Sequence, residues 1–102
     1  MPVEIAELVI KAGVQSAFEE AVAKALPLFE AARGCRSARL ERSVDCPERY
    51  RLVVNWETIE DHMVHFRESP AFQEWRALAG PHFAEPPRVD HVEIALEGFG
   101  AG

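Results

Sequence analysis

Hydrophobic and polar positions alternate with two different periods along this chain, and the switches between them divide it into strands and helices. Val3 to Lys11 alternates loosely and is rich in β-branched residues, which predicts a strand ended at Ala12-Gly13. Ser16 and Glu19 have capping-box spacing, and Phe18, Val22, Ala25 and Phe29 then recur at helical spacing. That helix is expected to reach about Ala32, with Gly34 just past its end and Pro27 kinking or breaking it. Residues 35–43 read as a second strand, VDCPER as a turn, and residues 50–57 as a third strand. In that third strand Tyr50, Leu52, Val54 and Trp56 share one face, while Arg51, Val53, Asn55 and Glu57 share the other. Thr58 with Asp61 signals a helix start, after which Ile59, His62, Met63 and Phe66 are expected on one helical face. Ser69 caps a further helix with Pro70 in its first position, and Phe72, Trp75, Arg76 and Ala79 are expected on its inner side. Gly80-Pro81 stops it, Pro86-Pro87 forms a rigid connection, and Val89 to Leu96 reads as a final strand.

The order is strand, helix, strand, strand, helix pair, strand. An α+β arrangement, a ferredoxin-like four-stranded antiparallel sheet with helices on one face, satisfies the burial demand of those elements. The chain is read as one domain over residues 1–96 with a C-terminal tail at 97–102. Helices on one side leave the other sheet face bare, and that face still carries Val53. Apolar residues also fall on both faces of the last strand, Val92 and Ile94 against Val89 and Ala95. A second copy laid sheet against sheet would cover it, so a two-fold homodimer with a barrel-like centre, a dimeric α+β barrel, is expected.

Composition narrows the class of protein. Hydrophobic residues make up 48% and charged residues 27% of 102 residues, the balance of a folded globular chain rather than a disordered one. No apolar run approaches the length of a membrane span, so no membrane partner is expected. Glu4 and Glu7 stand where a signal peptide would carry positive charge, which favours a cytoplasmic location. A net charge of −6 repels nucleic acid, and the six arginines between Arg33 and Arg51 fall in the hairpin, split between two faces. Cys35 and Cys46, held apart by an extended strand, are beyond disulfide reach and suit a reducing compartment.

The stretch from Leu52 to Glu93 resembles the antibiotic biosynthesis monooxygenase domain family. Trp56-Glu57 ends a strand, His62 follows on a helix, and Phe66, Ser69 and Phe72 succeed it as they do in that family. The upstream RLERSVDCPERY is similar to the family's hairpin, and with the order of elements the resemblance covers residues 3 to about 96. It implies the dimeric α+β barrel strongly and a reaction only weakly. Family members oxidise anthrones or quinols with molecular oxygen and neither metal nor flavin, and others degrade haem. The haem-degrading branch carries a Trp where this chain has Phe66 and an iron-ligating His where it has Arg76, and both departures count against haem.

Cofactor-free oxygenation is possible when the substrate supplies the electrons. The protein then needs an apolar pocket, a base, and a polar group to hold the substrate's oxygen. His62 is the candidate catalytic base; its bland alternative is a packed histidine bonded to backbone, or a dimer contact. Trp56, Phe66, Phe72, Trp75 and Phe83 form an aromatic set that serves as core, as the wall of a flat cavity, or as both. Asn55 and Arg76 are the polar candidates to orient a substrate oxygen, with a surface ion pair to Glu74 or Glu57 as the competing use of Arg76. His91 points either into the cleft or toward the dimer centre, and His82 lies at the pocket mouth or on the surface. His62 and His65 are three apart, but no third ligand has convincing spacing, so no metal site and no cofactor is expected. The expected function is a monooxygenase acting on a small aromatic, quinol-like molecule. The alternatives are a non-catalytic hydrophobic-ligand or dimerisation domain, and a proton-transfer isomerase on the same fold.

Overall fold

The computed structural model describes residues 1–100. Its elements are β1 (Val3–Val9), α1 (Gln15–Glu30), β2 (Cys35–Arg42), β3 (Arg49–Trp56), a π-helical turn (Asp61–Phe66), α2 (Pro70–Ala79), a 3-10 turn (Gly80–His82) and β4 (Arg88–Val92). All neighbouring strands are antiparallel, in the order β2-β3-β1-β4. This is the ferredoxin-like α+β fold that the alternation predicts.

The register fixes which side chains share a face. Leu52 pairs with Ala6 and Leu40, and Val54 with Glu4 and Ala38, so these positions all face the helices. Phe18, Val22, Ala25 and Phe29 of α1 close over them together with Trp75 and Ala79 of α2. Tyr50 belongs to this core, and its hydroxyl donates to Glu19 at 2.6 Å, a carboxylate that also holds Arg42 at 3.0 Å. The other face carries Val3, Ile5 and Val53 beside a charged patch in which Glu41 accepts from both Arg39 and Arg51.

Several local expectations are corrected. α1 begins at Gln15 with Val14 as its N-cap and no side-chain cap, so Ser16 and Glu19 form no capping box; Glu19 is drawn instead to Tyr50 and Arg42. Pro27 does not break α1, which ends at Glu30. Pro27 and Ala23, whose carbonyl it leaves without an amide, both lie on the exposed side of the helix, where losing that bond costs least. The segment after Thr58 is a π-turn rather than an α-helix: the Arg67 N–H donates to the His62 carbonyl, five residues back, at 3.0 Å. The wider turn buries Asp61, His62 and Phe66 and turns Ile59 and Met63 outward, so those two do not share the buried face. β4 stops at Val92 rather than running to Leu96. Of the expected tail, residues 101 and 102 lie outside the described residues.

Ser69 caps α2 as its sequence signal predicts, with its hydroxyl oxygen accepting from the Phe72 amide at 3.3 Å and Pro70 following. Gly34 has φ +76°, and a Cβ there would fall inside the Asp61 carboxylate. That contact sets the approach of the α1–β2 connection to the start of the π-turn. Cys35 and Cys46 are free thiols. No helix among the described residues is long and apolar enough to cross a membrane.

Candidate active site

A cleft of about 440 Å³ opens between the helix-facing side of the sheet and the π-turn–α2 segment. Its floor is Glu4, Ala6 and Leu8 of β1 with Leu52 of β3, residues that alternation sends to one face. Phe72 and Trp75 of α2 form one wall, and Phe83 and Val89 another. Phe83 is pinned there by chain pairing at the end of β1: it bridges to Ile10, and the Ala84 amide donates to the Val9 carbonyl at 2.8 Å. Arg67 and Arg76 stand at the edge. A more open groove of about 640 Å³ lies around Arg33, Arg36 and His65, but two of its acids already pair with its arginines, Asp61 with Arg33 and Glu57 with Arg36. The cleft joins apolar walls to buried ionisable groups, the combination expected of a small-molecule site.

Those groups form one connected chain. The indole N–H of Trp56 donates to Glu4 Oε1 at 3.0 Å. The same oxygen lies 3.3 Å from His62 Nε2. On the other side of the imidazole, His62 Nδ1 lies 2.9 Å from His91 Nε2. The His62 ring stacks on the Trp56 indole, with centroids 5.2 Å apart and planes 15° from parallel. Strand register explains the fourth member: His91 of β4 pairs with Glu4 of β1, so its side chain reaches the helix-facing side. Placing His62 over the sheet is the work of the π-turn, which packs Phe66 against Trp56 one turn later.

Burial sets the charges. Glu4 is 5% exposed, and desolvation pushes its carboxyl up to about 7, against the opposing effects of the Trp56 hydrogen bond and the Arg67 charge. His62 is 3% exposed; desolvation, then the neighbouring His91 and Arg67, lower its pKa to about 4. His62 is therefore a neutral imidazole at physiological pH, and its approach to Glu4 is not an ion pair. The tautomer in which Nδ1 accepts from His91 leaves the His62 proton on Nε2, the nitrogen that lies 3.3 Å from Glu4. No buried side-chain nitrogen or oxygen among the described residues lacks a partner.

The residues singled out from sequence divide into four groups. His62, Phe72, Trp75, Arg76 and Phe83 line the cleft. Trp56, Phe66 and His91 stand behind that lining, Trp56 and His91 bonded into the polar chain and Phe66 packed between Trp56 and Phe72. Asn55 is not in the cleft: its register puts it on the opposite face of the sheet, where its amide donates to Ser37 Oγ at 2.6 Å. His65 is exposed and turned away from His62, and His82 packs edge-on against Phe18 with centroids 6.2 Å apart. Among the described residues no three metal-ligating side chains converge. The sequence reading missed Glu4 and Arg67. Glu4 shares its parity with Ala6, Leu8 and Ile10, and a carboxylate on the apolar side of a strand was the available signal.

The chain is similar to known proteins in sequence and in fold. Residues 1–78 match the family model described as antibiotic biosynthesis monooxygenase. The uncharacterised Bacillus subtilis protein YczJ is 37% identical over 90 residues, covering 88% of this chain and 95% of its own length. A crystal structure from Bordetella bronchiseptica, provisionally named an antibiotic biosynthesis monooxygenase, is 52% identical with a TM-score of 0.91, covering 93% of this chain and 97% of that one. The structure of Rv0793 from Mycobacterium tuberculosis is 25% identical with a TM-score of 0.76, covering 97% and 100% respectively.

Proposed function

Because this chain belongs to the antibiotic biosynthesis monooxygenase family, we propose that it oxidises a small aromatic, quinol- or anthrone-like molecule with molecular oxygen, using its own side chains only to bind the substrate and move a proton. The observation that carries this reading is the Glu4–His62–His91 chain, whose first two members are buried and line an aromatic-walled cleft.

In this reading the substrate ring lies between Phe72, Trp75 and Phe83, with its acidic C–H or O–H toward Glu4. Glu4 is the better base of the two candidates, because its pKa lies near neutrality whereas His62 is held neutral and weakly basic. The Glu4 carboxylate takes the proton, and His62 Nε2–H steadies the carboxylate before transfer. His91 fixes the imidazole tautomer from behind. The deprotonated ring passes one electron to oxygen; the radical pair recombines as a carbon-bound hydroperoxide, which loses water. A ring CH₂ plus O₂ thus becomes C=O plus H₂O, and the substrate supplies all four electrons. Apolar walls keep bulk water from the intermediate.

We propose further that the protein works as a homodimer through the sheet face away from the helices, where Val53 is already covered but Val3, Ile5 and Val92 stay partly exposed in the single chain. A cytoplasmic setting is proposed from the two free thiols.

Oxygen uptake with a panel of hydroquinones and anthrones tests the reaction. The expected result is uptake stoichiometric with quinone formation, reduced about 100-fold or more in kcat by Glu4→Gln. Substrate C–H exchange with deuterated solvent but no oxygen uptake would replace the oxygenase reading with a proton-transfer one.

A further inference from the structure

The cleft is lined by two arginines that have no ion-pair partner among the described residues, although the Arg67 charge reaches Glu4 and His62. Arg67 and Arg76 leave different elements, the end of the π-turn and the middle of α2, and converge on the ring of Phe72, with guanidinium carbons 5.3 Å and 5.9 Å from its centroid. Both line the cleft. Among the described residues neither has a carboxylate within ion-pair distance, and the one polar contact of Arg67 is a weak one, to Met63 Sδ at 3.9 Å. Of the other seven arginines, Arg33, Arg36, Arg39, Arg42 and Arg51 pair with acids, while Arg49 and Arg88 have no ion pair among the described residues but do not line the cleft. In a chain of net charge −6, two guanidinium groups without acids at one edge of an apolar cleft are conspicuous.

Resting on the reading of this cleft as the substrate site, we propose that its substrate is an aromatic acid, whose carboxylate is held by Arg67 and Arg76 at the mouth while its ring lies inside against Phe72 and Trp75. Guanidinium matches carboxylate geometry in bidentate fashion, and stacking on Phe72 holds both planar groups over the cleft edge. The acid group is thereby fixed at the exposed guanidinium edge and not on the floor beside Glu4. That separation matters, because a carboxylate placed at the floor would face Glu4 and be repelled as the latter loses its proton. The arginines also exclude substrates with a cationic substituent at that end.

Anaerobic calorimetry, which prevents turnover, tests this with two probes of one ring system that carry the hydroxyl and the acid group at opposite ends: 6-hydroxy-2-naphthoic acid and its primary carboxamide. The acid is expected to bind at least tenfold more tightly than the amide, with an advantage that shrinks as salt is raised. The double variant Arg67→Gln/Arg76→Gln should bind the two probes equally, and because both side chains are exposed its melting temperature should stay close to that of the wild type. The single variant Arg76→Lys, which keeps the charge and loses the fork, should retain part of the preference. Equal binding by the wild type, failure to bind either probe, or an acid preference that survives the double variant would each overturn the proposal. Arginine-dependent acid binding with no oxygen uptake from any hydroquinone would overturn the oxygenase reading and leave the acid-binding cleft intact.

Discussion

Glu4 Oε1 lies 3.3 Å from His62 Nε2 with both side chains almost fully buried, yet the two groups do not carry opposite charges at once over most of the pH range. Burial raises the carboxyl to about 7 and lowers the imidazole to about 4. Each shift disfavours the charged form, so the two groups meet without forming an ion pair.

The stability of the fold should therefore show two opposed pH dependences. For Glu4 the folded pKa lies above its ordinary 4.5, so its contribution is present below pH 4.5 and is lost as pH rises through 7. For His62 the folded pKa lies below its ordinary 6.5, so the folded state loses stability as pH falls from 6.5 through 4. The two slopes, each at most about 1.4 kcal/mol per pH unit, oppose one another through the mildly acidic range. Denaturant midpoints of the wild type should be nearly flat there. Glu4→Gln should become more stable as pH rises toward 6.5, and His62→Gln less stable as pH rises toward 7. Parallel profiles for all three proteins would contradict this assignment of charge.

Trp56→Phe keeps an aromatic ring against His62, removes the N–H that Glu4 accepts, and gives up part of the buried indole volume. Loss of about 1–3 kcal/mol is expected in chemical denaturation, larger above pH 7, where Glu4 is ionised and needs the donor. An unchanged stability at pH 8 would show that the indole N–H does not support the carboxylate.

Gly34→Ala should be costly without touching the cleft. The residue sits at φ +76°, and the added methyl group would meet the Asp61 carboxylate. A destabilisation of about 2 kcal/mol or more is expected, relieved in part by combining it with Asp61→Gly. Full additivity of the two changes in a double-mutant cycle would contradict the packing.

Ile5→Glu places a charge on the bare sheet face, opposite the side that holds the core. Sedimentation should show a dimer for the wild type and a monomer for this variant, with the helical signal retained. A monomeric wild type would remove the proposed assembly.

The sheet and both α-helices were legible because alternation and helical spacing report burial directly: Tyr50 to Trp56 and Phe18 to Phe29 show their inner faces in the sequence. His62 and the hollow beside it were legible too, since a histidine spaced with Phe66 had to turn inward. The π-turn was not, because its extra residue per turn leaves no signature beyond an ordinary helical pattern, and Ile59 and Met63 were consequently put on the wrong side. Asn55 was misplaced for a different reason. Its polarity suggested chemistry, whereas strand parity had already assigned it to the far face. Glu4 was overlooked because only pairing with β3 and β4 brings it to Trp56, His62 and His91, which lie 52 to 87 positions away in the chain.

The account depends on a carboxyl in the cleft that changes charge near neutrality. Carbon-13 NMR of the glutamate side-chain carboxyls, with the Glu4 signal assigned by its disappearance in Glu4→Gln, reads this in the resting protein without any substrate. The expected titration midpoint is about 7. A midpoint near the ordinary 4.5 would mean that Glu4 is a plain carboxylate at physiological pH, poorly matched to take a proton from a phenol or anthrone, and the proposed mechanism would fail.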